Sequence, residues 1–312
     1  MSNYPAISGP DLESDPLLAQ LITDLQVRHH GAICCTLLYG SCLRSGNIYD
    51  GLLDLYLICD SYRSAYQRNM PAIANWLLPP NVFYAELTEG KKTLRSKVTV
   101  ISLRDFQRGC SKAWFQSYIW GRFAQPTRLL AVRNDAMRSQ IEESLLQAGR
   151  TLLANALPAL PDSGTVVQLW EQALALSYST ELRTERSGRA NELVLSAVDF
   201  YTRLTHSHAG SLAPHFAVYD DGQTLHYRYQ TGTLRRLWCR LAWALRKGQG
   251  KLLSILRLLK ALFTFEGGLD YIAWKLERHS GEKIDIPERV RKAPLLFLWG
   301  FFWSLYRRGI FK

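Results

Sequence analysis

The sequence lacks any run of about 18 apolar residues, the length that a helix needs to cross a bilayer. Its six cysteines form no CxxC pair and show no other metal-ligand spacing, so we predict buried, reduced thiols in a cytosolic protein. The opening segment, MSNYPAISGPDLESDP, is polar and acidic, unlike a signal peptide or an arginine-rich transit peptide. These absences argue against a zinc module, a membrane-spanning protein and a disulfide-stapled secreted domain.

Positive charge is abundant in the 312 residues but unevenly distributed. The net charge is +11, and the segment 228–312 alone holds 18 Lys and Arg against 6 Asp and Glu. The remainder is almost neutral, with 20 basic and 21 acidic residues. Such an excess predicts an anionic partner, which is a nucleotide, a nucleic acid or an acidic lipid. The hydrophobic content of 47% is that of a globular protein, and the length allows two domains.

The most informative stretch is 37–60, LLYGSCLRSGNIYDGLLDLYLICD, in which an apolar strand turns at Gly40-Ser41 and a second strand carries Asp54. Such a turn offers backbone N–H groups and a hydroxyl to nucleotide phosphates. An acidic strand beside it can hold Mg²⁺ against the same phosphates. Tyr56 stands where a nucleotidyltransferase strand usually has its second acid. The pattern predicts a nucleotidyltransferase site, with a structural turn beside one buried aspartate as the alternative.

Two further strands are predicted at 82–87 and 94–102, joined by a Thr-Glu-Gly-Lys-Lys turn into a hairpin. Lys97 lies in the second of them among alternating apolar residues, so its side chain projects from one face of the sheet. There it is either a solvated charge at an edge or a ligand of a phosphate. From Leu103 onwards the pattern becomes helical, with a linker at 158–164.

The basic C-terminal segment contains two amphipathic stretches. LRRLWCRLAWALRK at 234–247 has a helical stripe of leucines and Trp238, and its basic residues, which include Arg246, take the rest of the circumference. At 294–312, PLLFLWGFFWSLYRRGIFK is an aromatic, apolar run that ends in basic residues. Both compositions are typical of segments in the headgroup region of an acidic membrane. The alternative is an ordinary core helix with a basic exposed face.

Taken in order, several segments resemble the mitochondrial translocator-maintenance phosphatidate cytidylyltransferases and their bacterial relatives. Tyr39-Gly40-Ser41 resembles the family's YGSG turn, and LLDLYLICD at 52–60 resembles its strand, in which a hydrophobic residue replaces the usual second acid. SYSTELRTE resembles a further segment, with Glu181 in the family's Asp position. The remaining similar segments are PPNVFYAEL at 79–87, SKVTVIS at 96–102 and SYIWGRFAQPTRLL at 117–130.

The resemblance implies a peripheral membrane enzyme that transfers CMP from CTP to phosphatidic acid with Mg²⁺, giving CDP-diacylglycerol and pyrophosphate. Asp60 is one of two residues proposed for a second metal carboxylate, and it is equally a candidate N-cap of the next helix. The implied roles are nucleotide binding for Tyr39, Gly40, Ser41 and Lys97; catalysis for Ser41, Asp54, Lys97 and Glu181; metal binding for Asp54 with Asp60 or Glu181; and substrate-phosphate binding for Arg122 and Arg183.

We therefore predict an α/β protein in three parts. A nucleotidyltransferase-fold mixed sheet occupies 1–160, a helical domain completing the site occupies 161–227, and a basic amphipathic, membrane-associating region occupies 228–312. The expected partners are CTP, phosphatidic acid and an anionic membrane surface, with no nucleic acid, and the expected location is the inner face of the cell membrane. The alternatives are a nucleotidyltransferase with a soluble or nucleic-acid acceptor, and a catalytically silent membrane-bound relative.

Overall fold

The computed structural model describes residues 14–67, 69–182, 188–264 and 285–292, together with residues 4, 5, 7, 12, 277, 297, 300, 303 and 307. The helices in these ranges are α1 Pro16–Arg28, α2 Ser41–Ser45, α3 Tyr62–Tyr66, α4 Asn69–Leu77, α5 Leu103–Cys110, α6 Trp120–Phe123, α7 Asp135–Ala156, α8 Val166–Tyr178, α9 Arg189–Leu195, α10 Val198–Leu212, α11 Thr233–Thr264 and α12 Glu288–Lys292. The strands are β1 Ile33–Tyr39, β2 Leu53–Cys59, β3 Asn81–Glu89, β4 Lys92–Ser102, β5 Thr127–Val132, β6 Ser163–Thr165, β7 Phe216–Asp220 and β8 Leu225–Tyr229.

The centre of the fold is a five-stranded mixed sheet in the order β3-β4-β2-β1-β5. Strands β2 and β4 run parallel, and the other neighbours run antiparallel. Strand β1 is buried along its whole length and β2 along nearly all of it, which explains why both are almost continuously apolar in sequence. The predicted hairpin is present as β3 and β4. The predicted α/β class with a mixed sheet is therefore confirmed.

The two faces of this sheet carry two apolar cores, because successive residues of a strand point to opposite sides. Leu37 and Tyr56 belong to a core built with α5, α7, α8 and α10. Leu38 and Leu57 belong to a second core built with α1 and α3. The first core thus joins the sheet to α8 and α10, which follow residue 160 in sequence. These helices pack on the face of the sheet to which Leu37 and Tyr56 point.

A second, three-stranded sheet has the order β6-β8-β7 and lies within the helical part of the chain. Strand β8 pairs with β6 at Tyr227, and the hydroxyl of this tyrosine donates a hydrogen bond to the carbonyl of Pro161. The predicted boundary between 227 and 228 falls inside this strand. The strand therefore continues across the predicted boundary, with Arg228 and Tyr229 on its basic side.

The long helix α11 packs against the rest of the molecule through a face that the sequence pattern did not indicate. Trp243 is 3% exposed, and its indole donates to the carbonyl of Asn155 at 2.8 Å. Arg246, predicted on the basic outer surface, is buried, and it donates to the carbonyl of Phe115 and to the Asn155 side chain. The predicted apolar stripe instead faces solvent, with 47% to 69% exposure at Leu234, Leu237, Trp238, Leu241 and Leu245.

This orientation overturns the ordinary core helix as an explanation of 234–245, because a core helix would bury its apolar stripe. Among the described helices, none is long and apolar enough to cross a membrane. Most of the second amphipathic stretch, 294–312, lies outside the described residues. Of its aromatic side chains that are described, Phe297 is 43% and Trp303 63% exposed.

All six cysteines are described and all are free thiols, as the sequence predicts. Five are buried, and Cys239 on α11 is half-buried. Burial raises the pKa of every one of these thiols, to about 11 for Cys34 and about 12 for Cys59. They are therefore protonated and unreactive side chains of the core at neutral pH.

Candidate active site

The candidate site is built on one row of residues that crosses the sheet at the end of β1. Asp54 of β2 lies opposite Tyr39 of β1, and on its other side it is aligned with Lys97 of β4. The Lys97 ammonium lies 3.9 Å from Asp54 Oδ1. Their side chains are 35% and 26% exposed, so both groups are open to a ligand from solvent. Because β4 is flanked by β2 and β3, Lys97 is not the charge of an edge strand, which was one of its two predicted interpretations.

The Gly40-Ser41 turn lies directly against the Asp54 carboxylate. Gly40 has a φ of 93°, and a Cβ added there would lie 2.8 Å from Asp54 Oδ2. Glycine is thus required both by the backbone conformation and by the close approach. Ser41 follows as an exposed residue at the start of α2. The structure therefore brings the turn, the acid and Lys97 together, and it leaves Asp54 too accessible for the alternative of a buried structural aspartate.

Tyr39, predicted to bind the nucleotide, contributes its ring to the core. The residue is 6% exposed, and the ring centroid lies 5.6 Å from that of Tyr56 and 5.9 Å from that of Phe123. Its ring therefore supports the end of β1, and the accessible part of the turn consists of the backbone at Gly40 and the side chain of Ser41.

Arg122 was predicted to grip a substrate phosphate, but it lies inside the molecule. It is 5% exposed, and its Nη1 donates to the Tyr56 hydroxyl at 2.9 Å. Its Nη2 donates to the Glu181 carboxylate at 3.2 Å. The guanidinium carbon also lies 4.2 Å from the centre of the Tyr118 ring. Arg122 is therefore a structural arginine that fixes the wall of the site, because its donors are directed at protein groups.

Glu181 was predicted as a catalytic residue and as one candidate for the second metal carboxylate. Its side chain is 12% exposed, and both oxygens lie within 3.4 Å of Arg122 Nη2. The geometry therefore makes Glu181 the charge partner of Arg122. Arg183, the other predicted phosphate ligand, lies outside the described residues.

Asp60, the other candidate for the second carboxylate, lies at the opposite end of β2 from Asp54. Five residues of extended strand lie between the two, and the six steps from Asp54 to Asp60 amount to about 20 Å. Asp60 instead pairs with Arg133 at 2.7 Å on the surface. It does not cap the next helix either, since Ser61 is the N-cap of α3. Both predicted roles of Asp60 are therefore wrong.

The donor set of the site fits one Mg²⁺ ion that arrives with a nucleotide. No group of three or more His, Cys, Asp or Glu side chains is arranged for a metal within the ranges that the structure describes. Mg²⁺ commonly binds one or two carboxylates and takes its other ligands from substrate phosphates and water. Asp54 supplies one accessible carboxylate beside the turn, which is the smaller of these two numbers of protein ligands.

Two residues that the sequence did not single out, Tyr118 and Arg257, lie against each other beside the site. Arg257, from the middle of α11, has its guanidinium carbon 4.0 Å from the centre of the Tyr118 ring, and its Nη2 donates to Gln116 at 2.7 Å. Burial by itself would raise the pKa of Tyr118, but the charges of Arg122, Arg257 and Lys97 outweigh it and lower the pKa to about 8. Tyr118 precedes Arg122 by only four residues, so its proximity had a local signal, whereas Arg257 is distant in sequence and had none.

Two further cations, Arg44 and Arg189, lie near each other, and Arg44 also interacts with the charge of Asp54. Burial lowers the pKa of Arg44, and so does the positive charge of Arg189 at the start of α9, whereas Asp54 acts in the opposite direction. Neither arginine forms an ion pair with any acidic side chain that the structure describes. Arg44 follows Ser41 by three residues, one turn along the same short helix, and so accompanies the turn. Arg44 therefore adds positive charge beside Asp54.

We expect Tyr118 to ionise near pH 8, about two pH units below an ordinary tyrosine. A titration followed by tyrosinate absorbance should show this step in the wild type and in Tyr56→Phe, whose lost hydroxyl has a pKa raised by burial, but not in Tyr118→Phe. Because folding lowers the pKa of Tyr118, the attraction between its ionised hydroxyl and the neighbouring cations stabilises the folded state fully above pH 10. This stabilisation is lost as the pH falls through 8. A Tyr118→Phe titration that retains the step would contradict this assignment.

Comparison with known proteins gives little further information. No protein-family model matches the chain, and no curated protein matches it. Among solved structures, a nucleotidyltransferase-like protein from Exiguobacterium sibiricum 255-15 is similar, with 9% sequence identity and a TM-score of 0.28. That match covers 69% of this chain and all of the other protein. At this level of similarity, the site must be interpreted from its own geometry.

Proposed function

We propose that this chain is a Mg²⁺-dependent nucleotidyltransferase that transfers CMP from CTP to phosphatidic acid, giving CDP-diacylglycerol and pyrophosphate at a membrane surface. The observation that carries the proposal is the convergence of Gly40, Asp54 and Lys97 at one end of the sheet. A glycine turn, an accessible carboxylate and a lysine are the groups that nucleotidyl transfer requires at one point. The choice of CTP and phosphatidic acid rests on the resemblance of the sequence segments.

In this reaction the phosphate of phosphatidic acid attacks the α-phosphorus of CTP, and pyrophosphate leaves in line. The protein has little covalent chemistry to perform, and its residues must position the reactants and offset their charge. A phosphomonoester is already largely ionised at pH 7, so no strong general base is needed. When bound at Asp54, Mg²⁺ would supply charge neutralisation on the triphosphate. The backbone at Gly40 and the Ser41 hydroxyl would orient the leaving phosphates.

Lys97 is suited to exchange one partner for another. At 3.9 Å its contact with Asp54 is long for a hydrogen bond, and both side chains are partly solvated, so separating them costs little. An incoming phosphate can therefore pair with the Lys97 ammonium, and the Asp54 carboxylate would then be available to hold Mg²⁺. The side chain would then offset charge between the two phosphates that react.

We expect Lys97→Ala to lower turnover or CTP affinity by more than about tenfold, or roughly 1.4 kcal/mol. Lys97→Arg should restore only part of the activity, because a planar guanidinium replaces a compact charge poorly in a fixed site. Lys92→Ala is the matched control, since this exposed lysine lies on the same strand away from Asp54. Steady-state kinetics with varied CTP measures the effect, and full activity of Lys97→Ala would remove the residue from the site.

The membrane side of the proposal, a peripheral protein on the inner face of the cell membrane, is supported by α11. The leucines and Trp238 of its stripe are exposed, and basic residues flank them. An exposed apolar stripe with basic borders is the composition of helices that lie in the bilayer interface. Such a position would deliver phosphatidic acid to the enzyme without removing it from the membrane.

Charge reversal tests this helix without changing its apolar stripe. Arg235, Arg240 and Lys247 are exposed, whereas Arg236 pairs with Asp162 and is best left intact. We expect the triple change of the first three to Glu to weaken flotation with phosphatidate vesicles by more than tenfold, since each basic residue near an anionic surface contributes up to about 1 kcal/mol. The difference should shrink as salt rises above about 0.1 M. Flotation equal to wild type would show that α11 does not dock through its charges.

The direct test of the proposed function is incubation of the chain with each α-labelled nucleoside triphosphate, Mg²⁺ and phosphatidate vesicles. Label that enters the lipid phase from CTP supports the proposal. Label that enters only when a soluble or nucleic-acid acceptor is supplied would establish the first alternative. The absence of transfer from every nucleotide, with binding to vesicles retained, would establish the catalytically silent relative.

A further inference from the structure

Helix α4 has the opposite polarity to an ordinary surface helix. Its four large apolar side chains, Met70, Ile73, Trp76 and Leu77, are 80%, 50%, 69% and 67% exposed. Their spacing places them on one face of the helix. The buried residue of α4 is the polar Asn75, whose amide donates to the carbonyl of Val100 at 3.0 Å. The helix is thus seated on the protein by a polar side chain and directs its apolar face outwards.

A cavity of about 850 Å³ opens beside this face, at the end of the sheet opposite Asp54. Ile73 and Trp76 form part of its wall, and Arg63, Arg104 and Arg108 line it as well. Arg108 lies 3.9 Å from Asp105, whose carboxylate also accepts from the Tyr62 hydroxyl. The other acid in the lining, Asp60, is paired with Arg133.

Two cations of this cavity remain available for a ligand. Arg63 and Arg104 are exposed, and neither forms an ion pair with an acidic residue in the described part of the chain. A rim of apolar side chains beside unpaired arginines is complementary to a surface that is apolar inside and anionic outside. A folded protein partner would need an apolar patch and an anionic patch in matching positions, whereas an anionic bilayer offers an apolar interior and anionic headgroups at every point of its surface.

The face of α4 is also joined to α11. Lys260 of α11 donates to the carbonyls of Leu78 and Pro80 at 2.5 and 2.7 Å, immediately after α4 ends. Arg257 donates to the carbonyl of Pro79, which lies between them. On the same stretch of α11, Leu252, Ile255, Leu256, Leu258 and Leu259 are 41% to 64% exposed. The end of α4 therefore lies against the stretch of α11 that carries these exposed apolar side chains.

From these observations we propose that α4 and the arginine-lined cavity beside it form a docking surface for an anionic phospholipid bilayer. Met70, Ile73, Trp76 and Leu77 enter the interfacial region, and Arg63 and Arg104 contact lipid phosphates. The inference deepens the proposed function, on which it rests for the lipid surface. It assigns part of the membrane contact to the catalytic half of the chain, outside the basic C-terminal region.

Vesicle flotation of the full chain tests this surface. The vesicles consist of phosphatidate and phosphatidylcholine, with pure phosphatidylcholine as the neutral comparison. Ile73→Ser with Trp76→Ser should weaken binding at least about tenfold at every salt concentration, because apolar area is lost from the interface. Arg63→Ala with Arg104→Ala should weaken binding about tenfold at low salt and hardly at all at high salt. All four side chains are exposed, so the variants should fold as the wild type does.

Matched controls are Leu195→Ser, an exposed leucine on α9, and Lys112→Ala, an exposed lysine outside the cavity. Flotation of both α4 variants at the wild-type level would overturn the proposal. A lower molecular mass of the α4 variant than of the wild type in analytical ultracentrifugation would also overturn it, because the face would then be an interface between copies of the chain. Transfer of CMP to a short-chain, water-soluble phosphatidate separates the docking surface from the proposed function. This transfer should persist in the docking variants, since it needs no membrane. Its absence in the wild type would contradict the proposed function alone.

Discussion

Asp54→Asn is expected to lower nucleotidyl transfer by roughly 10³-fold while leaving the fold intact. The amide keeps the size of the side chain but loses the charge that would hold Mg²⁺, and a metal contributes several kcal/mol to transition-state stabilisation. The side chain is 26% exposed, and its ion pair with Lys97 is long and partly solvated, so the folded state loses little. Single-turnover transfer at saturating CTP and Mg²⁺ measures the loss, with circular dichroism as the check on folding.

Asp60→Asn is the control for this experiment, because it makes the same chemical change at the other end of the same strand. Asp60 pairs only with the exposed Arg133 among the contacts described above, so near-normal transfer is expected. Equal activity of the two variants would remove Asp54 from the metal site. Loss of activity in Asp60→Asn alone would move the site to the cavity end of the sheet.

Arg122→Leu is expected to lower the free energy of unfolding by about 3 to 5 kcal/mol, because it removes one charge of the buried ion pair with Glu181. The guanidinium touches Glu181 and the Tyr56 hydroxyl with different nitrogens, so Arg122→Lys should recover only part of the loss. Urea denaturation measures both variants. Arg133→Leu, which breaks the exposed pair with Asp60, should cost no more than about 1 kcal/mol.

This result would distinguish the structural role of Arg122 from the predicted role in binding phosphate. A phosphate ligand faces solvent in the free protein, and its removal would weaken lipid turnover with little change in stability. If Arg122→Leu unfolds at the same urea concentration as the wild type but fails to use phosphatidate, the buried ion pair is unimportant. The sequence-based role would then be reinstated.

The sequence was sufficient for the parts of the site that have local signals. A glycine after an apolar strand and an aspartate in the next one predicted the turn and the acid, and both are present. The contact of Lys97 with Asp54 depends on the parallel register of β4 and β2, which no short segment contains. Asp60 cannot share a metal ion with Asp54, because the extended strand places the two carboxylates at opposite ends of β2.

Orientation was harder to predict than secondary structure. Positions 70, 73, 76 and 77 have the spacing of any amphipathic helix, and the contacts of Asn75 with β4 and Tyr66 on the opposite side go with their facing outwards. Likewise, the stripe on α11 was found from its period, but its exposure follows from the packing of Trp243 and Arg246 on the opposite side. Which face of a helix is buried is a property of its neighbours, and the helix's own sequence does not contain it.

The burial of the cysteines makes the chain a convenient carrier for spectroscopic probes. Five thiols are inaccessible and all six have raised pKa values, so a maleimide at neutral pH will find few native targets. A cysteine placed at Trp76 or Leu237 can therefore be labelled selectively with a polarity-sensitive fluorophore, without first removing native residues from the core. The emission of such a dye would report, position by position, which parts of the surface leave water when vesicles are added.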